Sequence, residues 1–226
     1  MKVFAAAGVE VVFPMEQTCC GLPLSMLGET ATAKEVARQN IAAFAGDCEC
    51  IVTLCASCAS HLKHGYVRLL GAEAEAFAAK VIDFSSFVAQ ILNSEPGTRN
   101  SKLLTLNSKL TTEKVAYHAS CHLCRELGVK DAPRELIRRV AEYVPSKEEE
   151  SCCGFGGTFS AKFPEISAEL MRKKLENVTA SGATRLVLDC PGCAMQLAGG
   201  ADRQKLNLRV THIAELLADA LAIGSE

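Results

Sequence analysis

The apolar and polar positions of the chain follow two periods in alternation. Short β-branched runs at VEVVFP (9–14), CIVTL (50–54), VAY (115–117), EYVP (142–145) and TRLVLD (184–189) read as strands. Between them, ATAKEVARQNIAAFAG (31–46) and PEISAELMRKKLENVTASG (164–182) carry apolar residues at helical spacing. Gly46 closes the first helix; Pro164 stands near the start of the second and Gly182 just past its end. Strands alternating with amphipathic helices demand parallel pairing, so the expected class is α/β. The polar stretch NSEPGTRNSKLLTLNSKLTTEK (93–114) punctuates rather than continues an element. It predicts a linker with the boundary near residue 110, giving lobes 1–110 and 111–226, each a small, mostly parallel sheet flanked by helices.

A cysteine repeat organises the same elements. Cys19-Cys20 and Cys152-Cys153 are each followed by glycine and then, after 34 and 36 intervening residues, by a C-x-x-C pair, Cys55/Cys58 and Cys190/Cys193. Each C-x-x-C lies at the end of a predicted strand, so the order of strand, helix and cysteine matches in both halves. The second half also contains Cys121, 31 residues before Cys152, in VAYHASCHLCREL (115–127). The same step back from Cys19 passes Met1, which aligns near Arg134 in mid-helix. The first lobe is therefore expected to lack its opening strand and the matching cysteine, either because a longer chain is started at an internal Met or because the lobe is reduced.

Composition narrows the chemistry. With 226 residues, 49% hydrophobic, and a net charge of -2, the chain can bury an ordinary core. Balanced charge, 5% aromatic residues and no tryptophan give neither a basic face nor a stacking platform for nucleic acid. No window reaches the ~18 apolar residues of a membrane helix, and the N-terminus does not resemble a signal peptide, which predicts a cytoplasmic protein. Twelve cysteines in a reducing compartment serve some purpose other than disulfides, and adjacent Cys-Cys with C-x-x-C spacing suits metal thiolates. There is no G-x-S-x-G and no phosphate-binding glycine loop; GFGG (154–157) follows cysteines rather than a strand.

Two thiolates from a C-x-x-C can grip one side of a metal centre while a doublet on a distant turn closes the other, which suits iron–sulfur ligation; four thiolates suit zinc equally well on spacing alone. The candidate sites are Cys19, Cys20, Cys55 and Cys58, and Cys121, Cys152, Cys153, Cys190 and Cys193. Gly21, Gly154, Gly156 and Gly157 are expected to let backbone N–H groups approach sulfur. Cys48 and Cys50 lie outside the repeat and read as small core or surface residues, and Cys124 as a helix residue packed near the second site. His118 and His122 flank Cys121 and are placed to hydrogen-bond sulfur or to pack; His212 reads as a helix cap or a site neighbour, and His61 and His64 as solvated.

The segments YHASCHLCRELG, SCCGFGGTFSAKFPEIS and RVTHIAELLA, with both doublets and both C-x-x-C pairs, resemble the CCG-domain iron–sulfur proteins over nearly the whole chain. That group includes the heterodisulfide reductase B subunit, the iron–sulfur subunits of glycolate oxidase and anaerobic glycerol-3-phosphate dehydrogenase, and lactate-utilisation members, which this chain resembles most. Cys124 departs from the family, where a hydrophobic residue is usual. The resemblance implies an electron-transfer subunit of a complex oxidising L-lactate, or a related 2-hydroxy acid, to the 2-oxo acid, with other iron–sulfur and dehydrogenase subunits as partners. For the second site it implies a [4Fe-4S] or opened four-iron cluster on its five cysteines; the first would hold an ordinary four-iron cluster, zinc, or nothing. Two other classes stay open: a disulfide reductase of the heterodisulfide reductase B kind, and a zinc-stapled interaction module.

Overall fold

A computed structural model of the chain describes residues 1–94 and 111–223, so the expected linker boundary near residue 110 lies outside the described residues. In chain order the elements are α1 (Lys2–Ala6), α2 (Leu22–Leu27), α3 (Thr30–Ala43), β1 (Ile51–Thr53), α4 (Ala56–Ser60), α5 (Tyr66–Leu70), α6 (Glu75–Lys80), β2 (Val81–Asp83) and α7 (Phe84–Asn93). They continue with β3 (Thr111–Tyr117), α8 (Asp131–Val140), β4 (Ala141–Tyr143), α9 (Thr158–Lys162), α10 (Pro164–Ala180), β5 (Arg185–Leu188), α11 (Pro191–Arg203), β6 (Arg209–His212) and α12 (Ile213–Ile223). This is an α/β chain with two small parallel sheets flanked by helices. By compactness it divides into Val11–Phe84 and a larger unit of Met1–Glu10 with Ser85–Glu226.

In the smaller unit, β1 and β2 pair in parallel from Ile51↔Val81 to Thr53↔Asp83. Its core joins Cys20, Ile51, Leu62, Tyr66, Phe77 and Val81, with the Tyr66 ring stacked on Phe77 at 5.5 Å. Asn40, buried on α3, ties this core to the first doublet. Its amide nitrogen donates to the Cys19 carbonyl at 3.0 Å and to Tyr66 Oη at 2.9 Å, while its oxygen accepts the Thr18 N–H at 2.8 Å.

The expected strand at 9–14 does not form. Val12 and Phe13 are 72% and 70% exposed in irregular backbone. β-branched residues make a strand only where a neighbouring strand accepts their hydrogen bonds. Among the described residues the sheet of this unit consists of β1 and β2. The corresponding EYVP run overlaps β4 at Glu142 and Tyr143, because β3 is there to pair with it.

The larger unit carries the sheet β4-β3-β5-β6, parallel throughout, with Tyr117↔Val187 and Leu188↔His212 fixing the register. Leu186, Val187 and Leu188 are fully buried, as parallel strands covered on both faces must be. Arg185, on the same strand, is tolerated inside because Nε donates to Thr211 Oγ1 at 2.7 Å and the guanidinium meets Asp219 at 3.0 Å. His212 caps α12: Ala214 N–H donates to its Nδ1 at 3.1 Å, and Glu215 accepts the His212 N–H at 3.1 Å, a reciprocal capping arrangement. Among the described residues no helix is long and apolar enough to cross a membrane.

Lys174 on α10 occupies the place Asn40 holds on α3, 22 residues past Cys152 where Asn40 is 21 past Cys19. It is 1% exposed, and Nζ donates to the carbonyls of Glu148 at 2.8 Å and Glu149 at 3.0 Å, fastening the approach to the second doublet. Burial pulls its pKa down to about 8, with Glu149 opposing. Because the unfolded chain holds this proton up to the ordinary lysine range, stability rises with pH from about 8 to about 10.5. Reducing, anaerobic urea unfolding at pH 7.5 and pH 10 should therefore show the native chain gaining about 2 kcal/mol more than Lys174→Met across that interval. Equal pH slopes in the two proteins would show that the buried ammonium does not titrate there.

Candidate metal centres

Each C-x-x-C begins where a strand gives way to a helix. Cys55 (φ -126°, ψ 111°) and Cys190 (φ -134°, ψ 111°) hold the same extended backbone as the residue before α4 and α11. The second cysteine then falls on the first helical turn, bringing both sulfurs to one edge. The doublet loops match as closely: Gly21 and Gly154 have φ +81° and +86°, left-handed values that favour glycine. A Cβ on Gly154 would also lie 2.4 Å from the Ser167 carbonyl oxygen, and one on Gly192 would strike the Phe155 ring at 2.7 Å. Phe155 of the doublet loop thus lies directly on the glycine of CPGC.

The thiols of each site interact. In the second, Cys153, Cys190 and Cys193 are buried, and the Sγ atoms of Cys153 and Cys193 stand 3.1 Å apart. Hydrogen bonds from Cys152 and then Cys193 hold Cys153 well below the usual thiol range, against the opposing effect of burial. Cys152 and Cys193, bonded to it, are pushed up. Gly154 N–H donates to Cys152 Sγ at 3.3 Å, the backbone-to-sulfur bond expected of that glycine. Cys121 is half-buried and lowered chiefly by His122, whose Nδ1 lies 3.5 Å from its sulfur. In the first site the same logic recurs: a bond from Cys58 draws Cys20 down to about 7, Leu22 N–H adding to it, while Cys58 is pushed up by Cys20 and then Cys55. In both, the second cysteine of the doublet is the favoured thiolate and the second cysteine of C-x-x-C its partner.

Four residues of the neighbourhood escaped the sequence reading. Asp189, just before Cys190, accepts a hydrogen bond from Tyr117 Oη at 2.7 Å and another from Ser85 Oγ, bracing the strand end that carries Cys190. Asn40 and Lys174 anchor the doublet loops; their matched places on the repeat were the available signal. His61 is buried rather than solvated: its ring packs edge-on to Tyr66 at 5.5 Å, with Ser25 Oγ 3.4 Å from Nε2. Gly65 makes room for it, since a Cβ there would fall 2.1 Å from His61 Nδ1. Segments His61–Gly65 and His122–Glu126 are π-helical, each beginning within three residues of a candidate cysteine, Cys58 and Cys121; such wide turns concentrate at functional sites. Cys124 is buried, its thiol raised by burial and by Glu150. Cys48 packs against the core of the smaller unit.

The second site fits a thiophilic metal. His118 is fully buried, neither ring nitrogen has a hydrogen-bond partner, and a ring nitrogen lies with the sulfurs of Cys153 and Cys193 in a set mutually within 4.8 Å. Soft sulfur with imidazole is the donor set of iron–sulfur and zinc centres rather than of magnesium or calcium.

The family model for the CCG cysteine-rich domain matches residues 1–63 and 115–198, spanning both doublets, both C-x-x-C pairs and Cys121. Lactate utilization protein A 2 of Bacillus cereus (strain Q1) is 36% identical over 231 residues, which is 98% of this chain and 90% of that protein. Lactate utilization protein A of Geobacillus kaustophilus (strain HTA426) is 38% identical over 226 residues, 96% of this chain and 89% of the relative. With a likeness that runs through both repeats and every cysteine of the two sites, the chain belongs to the CCG cysteine-rich domain family.

Proposed function

We propose that this chain is the iron–sulfur electron-transfer subunit of a cytoplasmic multi-protein system that oxidises L-lactate, or a related 2-hydroxy acid, to the 2-oxo acid. The observation that carries the reading is the repeated thiol arrangement, in which Cys58 draws Cys20, and Cys152 and then Cys193 draw Cys153, toward thiolate. The relatives named for lactate utilization supply the substrate. Cys121, Cys152, Cys153, Cys190 and Cys193 would hold one four-iron cluster, and Cys19, Cys20, Cys55 and Cys58 a second. Such a cluster supplies one-electron redox chemistry. The residues around it fix the sulfurs and exclude water: Asp189, Tyr117 and Lys174 brace the larger unit, Asn40 and Tyr66 the smaller. Oxidation of the hydroxy acid and the final electron acceptor belong to partner subunits.

Anaerobic purification with iron, sulfide and zinc analysis, alongside EPR of oxidised and reduced protein, tests the cofactor. About four irons per occupied site with a redox-active signal is the expected result. Stoichiometric zinc in colourless protein would replace this reading with a structural module. In the same assay Cys190→Ala and Cys193→Ala should each lose the cluster of the larger unit, whereas Cys48→Ala should keep the native iron content. Equal loss from all three would refute the ligand assignment. For function, L-lactate should reduce the cluster signal only when the partner subunits are added. Turnover of small disulfides by the isolated chain would point instead to a disulfide reductase.

A further inference from the structure

His118 is the buried titratable side chain that the reading above leaves without a task. It follows β3 directly, and its backbone N–H donates to the Val187 carbonyl at 2.8 Å, so the register of the sheet fixes where its imidazole goes. The residue is 1% exposed, yet neither Nδ1 nor Nε2 has a hydrogen-bond partner; Ser120 Oγ on the same loop is likewise buried and unpaired. Leaving such a nitrogen unsatisfied forfeits its hydration with nothing in return, so a ring buried this way is suited to a partner from outside the chain, such as a metal ion. What stands beside it is sulfur: among the described residues, His118, Cys153 and Cys193 form the one set of three potential ligands with atoms mutually within 4.8 Å. They converge from three separate elements, the exit of β3, the doublet loop and the first turn of α11. Metal–nitrogen bonds of about 2.0–2.1 Å and metal–sulfur bonds of about 2.3 Å fit inside such a triangle with small side-chain rotations.

We infer that His118 binds, through one ring nitrogen, the same metal ion that Cys153 and Cys193 hold, making the centre of the larger unit a mixed imidazole–thiolate site. The inference rests on the second site being a metal centre but not on that metal being iron. The smaller unit has no counterpart of β3 among its described residues, so no residue there stands in the place of His118.

The test uses the full chain labelled with [15N]histidine and loaded with 113Cd(II), a spin-active probe that accepts thiolate and imidazole. Direct ligation gives a one-bond 113Cd–15N splitting on one histidine and a 113Cd resonance shifted upfield of the all-thiolate position. Both features should vanish in His118→Gln and persist in His61→Gln, His64→Gln, His122→Gln and His212→Gln; those four variants make the assignment by elimination if His118→Gln does not fold. All-thiolate 113Cd resonances with no nitrogen splitting in the native chain would overturn the inference and leave His118 as at most a hydrogen-bond donor to sulfur. A splitting that survives in folded His118→Gln would overturn it too. The cadmium measurement stands whether or not the native metal is iron, so failure of the iron–sulfur reading and failure of this one give different results.

Discussion

The parallel register between β3 and β5 is the constraint on which the second site depends. Parallel strands run out of the sheet at the same edge, so Tyr117 beside Val187 puts the exit of β3 next to the exit of β5. From that edge the chain delivers His118 and Cys121 on one side and Cys190 and Cys193 on the other. Tyr117 Oη reaches across to Asp189, so the two strand ends are clamped by a buried hydrogen bond one residue before the first C-x-x-C cysteine. A ligand crevice at the carboxyl ends of parallel strands is the general habit of open α/β sheets. Here Cys153 and Cys193 meet near that edge, their sulfurs 3.1 Å apart.

The doublet loops have no ladder to hold them, so their position depends on contacts made one at a time. In the larger unit Lys174 binds the carbonyls of Glu148 and Glu149, Arg134 pairs with Glu149 at 2.6 Å, and Tyr143 donates to the same carboxylate. Gly154 must be glycine on two counts, its left-handed φ and the 2.4 Å approach to the Ser167 carbonyl oxygen. In the smaller unit a neutral amide does the work of the ammonium, Asn40 holding the Cys19 carbonyl and Thr18 N–H together. An amide offers a donor and an acceptor, so it can bridge both backbone groups of one turn. An ammonium can only donate, and it is found where two carbonyls converge.

What the sequence disclosed and what it hid divide along the range of the interaction. Helix α10 was readable to within a residue or two because Pro164 and Gly182 punctuate it, and β5 because LVL is apolar on both faces. The cysteine constellation was readable because it occurs twice. The run at 9–14 failed since its pattern is a property of the chain, whereas a strand is a property of a pair, and among the described residues no strand pairs with it. His61 failed for a related reason: its burial depends on Gly65 leaving space and on Tyr66 turning its ring, neither of which helical spacing displays. Lys174 was invisible because a lysine on an amphipathic helix reads as solvent-facing until the carbonyls it meets, 25 and 26 residues earlier, are known.

The two repeats share a cysteine pattern but not an equal supply of ligands. In the larger unit β3 contributes three things at once: a partner for β4, a central position for β5, and the loop that carries His118, Ser120 and Cys121. Among the described residues the smaller unit has nothing in that place, and each contribution is missing together. The 9–14 run stays unpaired with Val12 and Phe13 exposed, β1 remains at the edge of a two-stranded sheet, and no residue stands in the place of His118 or Cys121. A single strand therefore links the architecture of each sheet to the donor set at its edge. Two sites built from the same motif need not be chemically alike, because the strand that completes the sheet is also the strand that completes the site.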